Sequence, residues 1–165
     1  GIEKFQARGI YTDLMRKFRD EGHEVYIIFP RERKLGLPTQ VRVQDGVHLL
    51  GVKTLNVTKT NVIEKGIGQV SIEFLYKRAI HKHFAGVSFD LILYSTPPIT
   101  FPKVIEYAKR ANPKAKTYLL LKDIFPQNAV DIGIMSKRGL KGLLYKHFRK
   151  QEKKLYAVFL FFSLE

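Results

Sequence analysis

"FDLILYSTPPITFPKVIEYAKRANPKAKTYLLLKD", residues 89–123, holds two short runs that are apolar almost throughout, with a helical pattern between them. Strands of this kind must be covered on both faces, and here they alternate with helices. That combination argues for a parallel α/β layer sheet. The intervening segment, "FPKVIEYAKRAN", reads as a helix stopped by Asn112-Pro113. In open α/β sheets ligands bind beyond the carboxyl ends of the strands. The junctions "YSTPP" and "LKDIFPQN" are two such ends, on successive parallel strands, and they form the candidate site.

The second junction places Lys122 and Asp123 at the end of an apolar run, then Phe125-Pro126, then the carboxamides Gln127 and Asn128. Two readings stay open for Asp123. It faces a ligand cleft, or it caps the following turn by accepting bonds from otherwise unpaired amides.

The surrounding segments fit the same fold class. "KFQARGIYTDLMRKFRDEG" reads as an amphipathic helix with Phe5, Ile10, Leu14 and Phe18 on one face, and Gly22 as its left-handed stop. "HEVYIIFP" reads as a strand closed by Pro30, followed by the basic loop "RERKLGLPTQ". "VRVQDGVHLLGV" alternates around Asp45-Gly46 and predicts a hairpin or a short strand pair. A helical pattern returns from about Val70 to Phe84. "GLKGLLYKHFRKQEKKLY" is a strongly basic helix, and "AVFLFFS" predicts one more strand. The 165 residues suit one domain with a sizeable core.

Composition narrows the function classes. Apolar residues make up 45% and charged residues 27%, as in a soluble globular protein. No cysteine is present, which excludes disulfides and thiolate metal sites and points to a reducing compartment. The longest apolar run, near "AVFLFF", is far below the roughly 20 residues that span a bilayer. No signal peptide is read at the start. A formal charge of +14 attracts anions: nucleic acid, anionic lipid headgroups or phosphorylated substrates.

Several motifs are set aside. "GIGQVS", at Gly66 to Ser71, lacks the third glycine and the strand context of a dinucleotide fingerprint. No Walker sequence and no G-x-S-x-G occur. His81 and His83 stand two apart on a helix and point to different sides, which is wrong for a shared metal. Neither a helix-turn-helix nor an RNP pattern accompanies the positive charge.

Three segments together resemble a known family. "DEGHEVYII" resembles the helix-to-second-strand junction of GT-B glycosyltransferases. "FDLILYSTPPIT" and "LLLKDIFPQNAVDIGIM" resemble two segments of the family 4 enzymes that extend O-antigen, colanic acid or capsule repeats on a polyprenyl carrier. The likeness covers most of Phe5 to Tyr156. It implies a Rossmann-like three-layer domain with a mainly parallel sheet, the acceptor-binding amino-terminal half of a GT-B enzyme. The first strand and the donor domain of such an enzyme would lie outside this chain, which alone is expected to be inactive. No cofactor or metal is expected in this half, and the nucleotide sugar belongs to the donor domain. The resemblance implies a lipid-linked polyprenyl diphosphate saccharide as acceptor, at the cytoplasmic face of a bacterial membrane. Asp123 becomes the catalytic candidate, with Ser95, Thr96, Lys122, Gln127 and Asn128 binding the acceptor. Lys122 stands where many relatives carry histidine, so no histidine role transfers, and "IFPQN" replaces "LWPES".

The basic helix fits that setting. From Arg138 to Lys154 it carries seven cations against Glu152 alone, and Leu140, Leu143, Leu144, Phe148 and Leu155 suggest an apolar stripe. Lys146, Arg149, Lys150 and Lys153 are the membrane-surface candidates. The alternative from another class is a non-catalytic basic module binding nucleic acid or another polyanion. A third reading is a Rossmann-like domain for a small phosphorylated metabolite.

Overall fold

A computed structural model describes the backbone of residues 3, 5–56, 62–96, 101–121, 127–131, 133 and 137–163; side chains at 62–67, 69, 70, 96, 128, 140, 141, 144 and 155–163 lie outside the description. The chain is mixed α/β and divides into two compact units, Gly1–Ala85 and Gly86–Glu165.

In the first unit, α1 (Ile10–Asp20) leads to β1 (Val25–Glu32), β2 (Gln40–Gln44), β3 (Val47–Thr54) and α2 (Val62–Phe84). The three strands pair in the order β1-β3-β2, with β1 parallel and β2 antiparallel to β3. The hairpin expected at Asp45-Gly46 is present. Both residues have positive φ, 50° and 73°, as a two-residue turn matching the strand twist demands. Arg19 of α1 donates to the Asp45 carbonyl at 2.9 Å and ties the helix to that turn. Gly22, at φ 87°, supplies the expected left-handed stop.

Two expectations for this unit are corrected. The first helix begins at Ile10 rather than near Lys4, because Gly9 interrupts it and Thr12 holds the preceding turn by donating to the Ala7 and Gly9 carbonyls. Phe5 is therefore fully buried from a turn, while Ile10 is 76% exposed. Pro30 does not close its strand, since β1 continues to Glu32 with Pro30 opposite Val52. As β1 stands at the end of this sheet, the missing proline N–H breaks no ladder. One sheet face packs Val25, Phe29, Val47 and Leu49 against Phe5, Met15 and Phe18. On the other, Tyr26 stacks on His48 at 4.3 Å and meets the edge of Phe84 from α2. The helix also starts earlier than Val70 and absorbs "GIGQVS" into its interior.

The second unit runs β4 (Leu91–Thr96), α3 (Pro102–Ala111), β5 (Lys116–Leu121), α4 (Gln127–Asp131) and α5 (Gly139–Ser163). Here the expected strand–helix–strand arrangement holds: β4 and β5 pair in parallel. Pro102 opens α3, where a missing N–H costs nothing. Tyr94 and Ile105 are buried with Ile92, Phe101 and Leu119 around them. The α3–β5 turn is fixed by polar groups. Asn112 accepts the Phe89 N–H at 2.8 Å, and the buried Lys109 ammonium donates to the Pro113 and Ala115 carbonyls at 2.8 and 2.7 Å. The strand expected at "AVFLFFS" is instead the last part of α5. Nothing between Lys154 and Ala157 breaks a helix already formed, and extension adds a hydrogen bond per residue without a new nucleus.

Burial makes a testable contribution at Tyr94. Its hydroxyl has no hydrogen-bond partner among the described residues, and burial pushes its phenol up to about 12. The Tyr76 phenol is raised for the same reason. Because the folded pKa exceeds the unfolded one of about 10, this stability is complete below pH ~10 and lost as pH rises towards 12. Tyr94→Phe removes an unsatisfied group and should raise stability by about 1 kcal/mol. It should also flatten the alkaline limb of a chemical-denaturation series. A lower melting temperature for Tyr94→Phe would show that the hydroxyl is bonded.

Candidate functional site

The parallel register brings together the strand ends that lead into the two junctions. Ser95 lies opposite Leu120 and Thr96 opposite Leu121, so β4 and β5 end side by side at their carboxyl ends. Ser95 is half-buried there, and Thr96 is placed by its backbone. Lys122 and Asp123 lie outside the described residues, as does the "PPIT" turn.

Gln127 opens α4, and Asn128 follows it with only its backbone described. The Gln127 carboxamide is used at both ends. Its nitrogen donates to Asp131 at 2.6 Å, and its oxygen accepts from the Tyr145 hydroxyl at 3.3 Å. That second bond joins α4 to α5, which packs against β5 and α3. Lys137 lies 5.6 Å from the Tyr145 ring centroid and adds a cation–π contact.

Helical spacing then collects the positive charge. Positions 145, 149 and 153 follow at i+4, and 146 and 150 interleave with them on the same face. Tyr145, Lys146, Arg149, Lys150 and Lys153 line one open hollow of about 280 Å³. All four membrane-surface candidates therefore share one surface feature. The three lysines are exposed, whereas Arg149 is held by an ion pair to Glu152, a carboxylate with no solvent exposure. Leu143 is 64% exposed and Phe148 half-buried, so the described part of the suggested stripe does not face one environment.

Sequence reading did not single out Tyr145 or assign Glu152 a role. The available signal was the only acid in the basic helix, three residues after Arg149, a spacing at which side chains meet. A second unforeseen cluster lies in the first unit. Arg31, 2% exposed, makes two bonds to the Glu3 carboxylate at 2.6 and 3.2 Å and a third to the Pro38 carbonyl. Arg42 joins the same carboxylate at 3.2 Å.

The histidines form no metal centre among the described residues. No group of three His, Cys, Asp or Glu side chains there is disposed to hold an ion. Likewise, no described helix is long and apolar enough to cross a membrane. Comparison with family models, with curated proteins and with solved structures finds no match to this chain.

Proposed function

We propose that this chain is the acceptor-binding, Rossmann-like half of a nucleotide-sugar-dependent GT-B glycosyltransferase. Its acceptor is a lipid-linked saccharide in bacterial polysaccharide synthesis, met at the cytoplasmic membrane face. The observation that supports the reading is the side-by-side ending of β4 and β5, with Ser95 opposite Leu120 and Thr96 opposite Leu121. Sugar transfer requires an acceptor hydroxyl held in line and its developing charge stabilised. Asp123 is suited to orient that hydroxyl or take its proton, with Lys122 pairing to it or meeting a phosphate. Ser95, Thr96, Gln127 and Asn128 supply neutral hydrogen-bonding groups of the kind saccharides need. The basic α5 face meets the anionic surface that carries the acceptor.

The test is a competition. Vesicles carrying a polyprenyl diphosphate saccharide should capture the chain in preference to heparin or duplex DNA. Preference for DNA or heparin would replace this reading with the polyanion-binding one. In the two-domain enzyme, Asp123→Asn should lower turnover by about a hundredfold, the usual scale of acid–base contributions, with little change in melting temperature. Retained turnover with reduced stability would make Asp123 a cap.

A further inference from the structure

We infer that the hollow on α5 is a diphosphate-binding subsite, joined to α4 through Tyr145 and Gln127. It rests on the glycosyl-transfer reading for the ligand's other half, the saccharide at the strand ends. A plain basic surface leaves its cations mobile in water. This one holds its central cation in place. Glu152 is wholly buried, and a buried carboxylate is costly unless paired. Among the described residues it pairs with Arg149, whose side chain keeps 40% exposure and lines the hollow.

The buried charge thus sets the direction of a planar fork suited to phosphate oxygens. Lys146, Lys150 and Lys153 surround that fork at i−3, i+1 and i+4. Among the described residues that line or pair with the hollow, four cations stand against one carboxylate. The hollow, at about 280 Å³, falls below the ~300–1,000 Å³ of sites for drug-sized ligands, so it fits one small anionic group. Tyr145 lines it and donates to Gln127, the first residue of α4, the helix that follows β5 in the chain.

Phosphate oxygens reach such a hollow from a carrier diphosphate or from bilayer headgroups, and the experiment separates them. Inorganic pyrophosphate is titrated into the chain calorimetrically at fixed ionic strength, with inorganic phosphate as comparison. Saturable one-site binding is expected, about tenfold or more tighter for pyrophosphate, and weakened about tenfold by Lys150→Gln. Lys82→Gln, on the exposed part of α2, should leave it unchanged. Glu152→Gln supplies the sharpest sign. Removing a negative charge strengthens anion binding if charge alone operates, whereas loss of the held guanidinium weakens it. Arg149→Lys keeps the charge and loses the fork, and it should also weaken binding if Glu152→Gln proves unstable.

Equal affinity for the two anions, or full affinity in Arg149→Lys, would overturn the subsite. Phosphatidylglycerol vesicles with a few per cent polyprenyl diphosphate should bind wild-type chain more tightly than vesicles without it. Identical binding would make the ligand a headgroup and overturn the assignment. Pyrophosphate binding without sugar transfer by the two-domain enzyme leaves this subsite standing and removes the transferase reading. Transfer without pyrophosphate binding does the reverse.

Discussion

Exchange of Lys146, Arg149, Lys150 and Lys153 for glutamine is expected to weaken co-sedimentation with anionic vesicles by about a thousandfold at low salt. Each cation near an anionic leaflet contributes about 1 kcal/mol, and about 1.4 kcal/mol is a factor of ten. High salt should reproduce the loss in the wild-type chain, because screening shortens from about 10 Å at 0.1 M to about 3 Å at 1 M. The four substitutions are not equivalent for the fold. Lys146, Lys150 and Lys153 are exposed, but Arg149 neutralises the buried Glu152. The triple lysine variant should therefore melt with the wild type, and adding Arg149→Gln should lower the melting temperature. Vesicle binding that survives both the substitutions and high salt would return this face to a role in solubility.

What was legible in the sequence was what local chemistry decides. Asp45-Gly46 announced a turn that needs positive φ, and Asn112-Pro113 announced the end of α3. Two short apolar runs joined by a helical segment announced the parallel pair β4 and β5, although Leu91, Tyr118 and Leu121 on them are exposed. Errors arose where a distant segment or a continuing element prevailed over a local signal. "AVFLFFS" has the length and composition of a buried strand, and short apolar runs do not reveal their period. A helix already running through Lys154 decided it. Pro30 would stop a central strand, yet at the end of a sheet it does not. Phe5 fits a helical stripe with Leu14 and Phe18, but Gly9 separates it, and it packs from a turn instead.

The charged clusters were the least legible part. A sequence with 29 basic residues gives no sign of which few are buried. Arg31 reads as the start of a basic loop, yet it is buried beside Glu3, 28 positions earlier. Nothing in the predicted helix "FPKVIEYAKRAN" marks Lys109, yet its ammonium closes the α3–β5 turn. Both are decided by backbone carbonyls or a carboxylate brought close only after folding.

Gly51→Ala should destabilise the first unit by about 3–5 kcal/mol, the scale set by breaking a buried ion pair. Gly51 sits in β3, opposite Phe29 on one side and Gln40 on the other. A Cβ there would lie 2.2 Å from Arg31 Nε and 2.6 Å from its Cδ and Cζ, inside any allowed contact. The guanidinium lies across the strand because glycine leaves room for it. An arginine end is ordinarily free to move aside. This one is 3% exposed, with bonds to Glu3 and to the Pro38 carbonyl. Displacing it also frees the Glu3 carboxylate that Arg42 shares, and so loosens the segment that delivers Phe5 to the core. A loss of that size is a large part of the ~5–15 kcal/mol by which domains are stable. Denaturant unfolding of Gly51→Ala, Glu3→Gln and the double variant measures the coupling. If alanine acts by breaking the Arg31–Glu3 pair, Glu3→Gln costs far less in the alanine background than in the wild type. Additive losses would instead place the cost of Gly51→Ala in backbone crowding, leaving the ion pair intact.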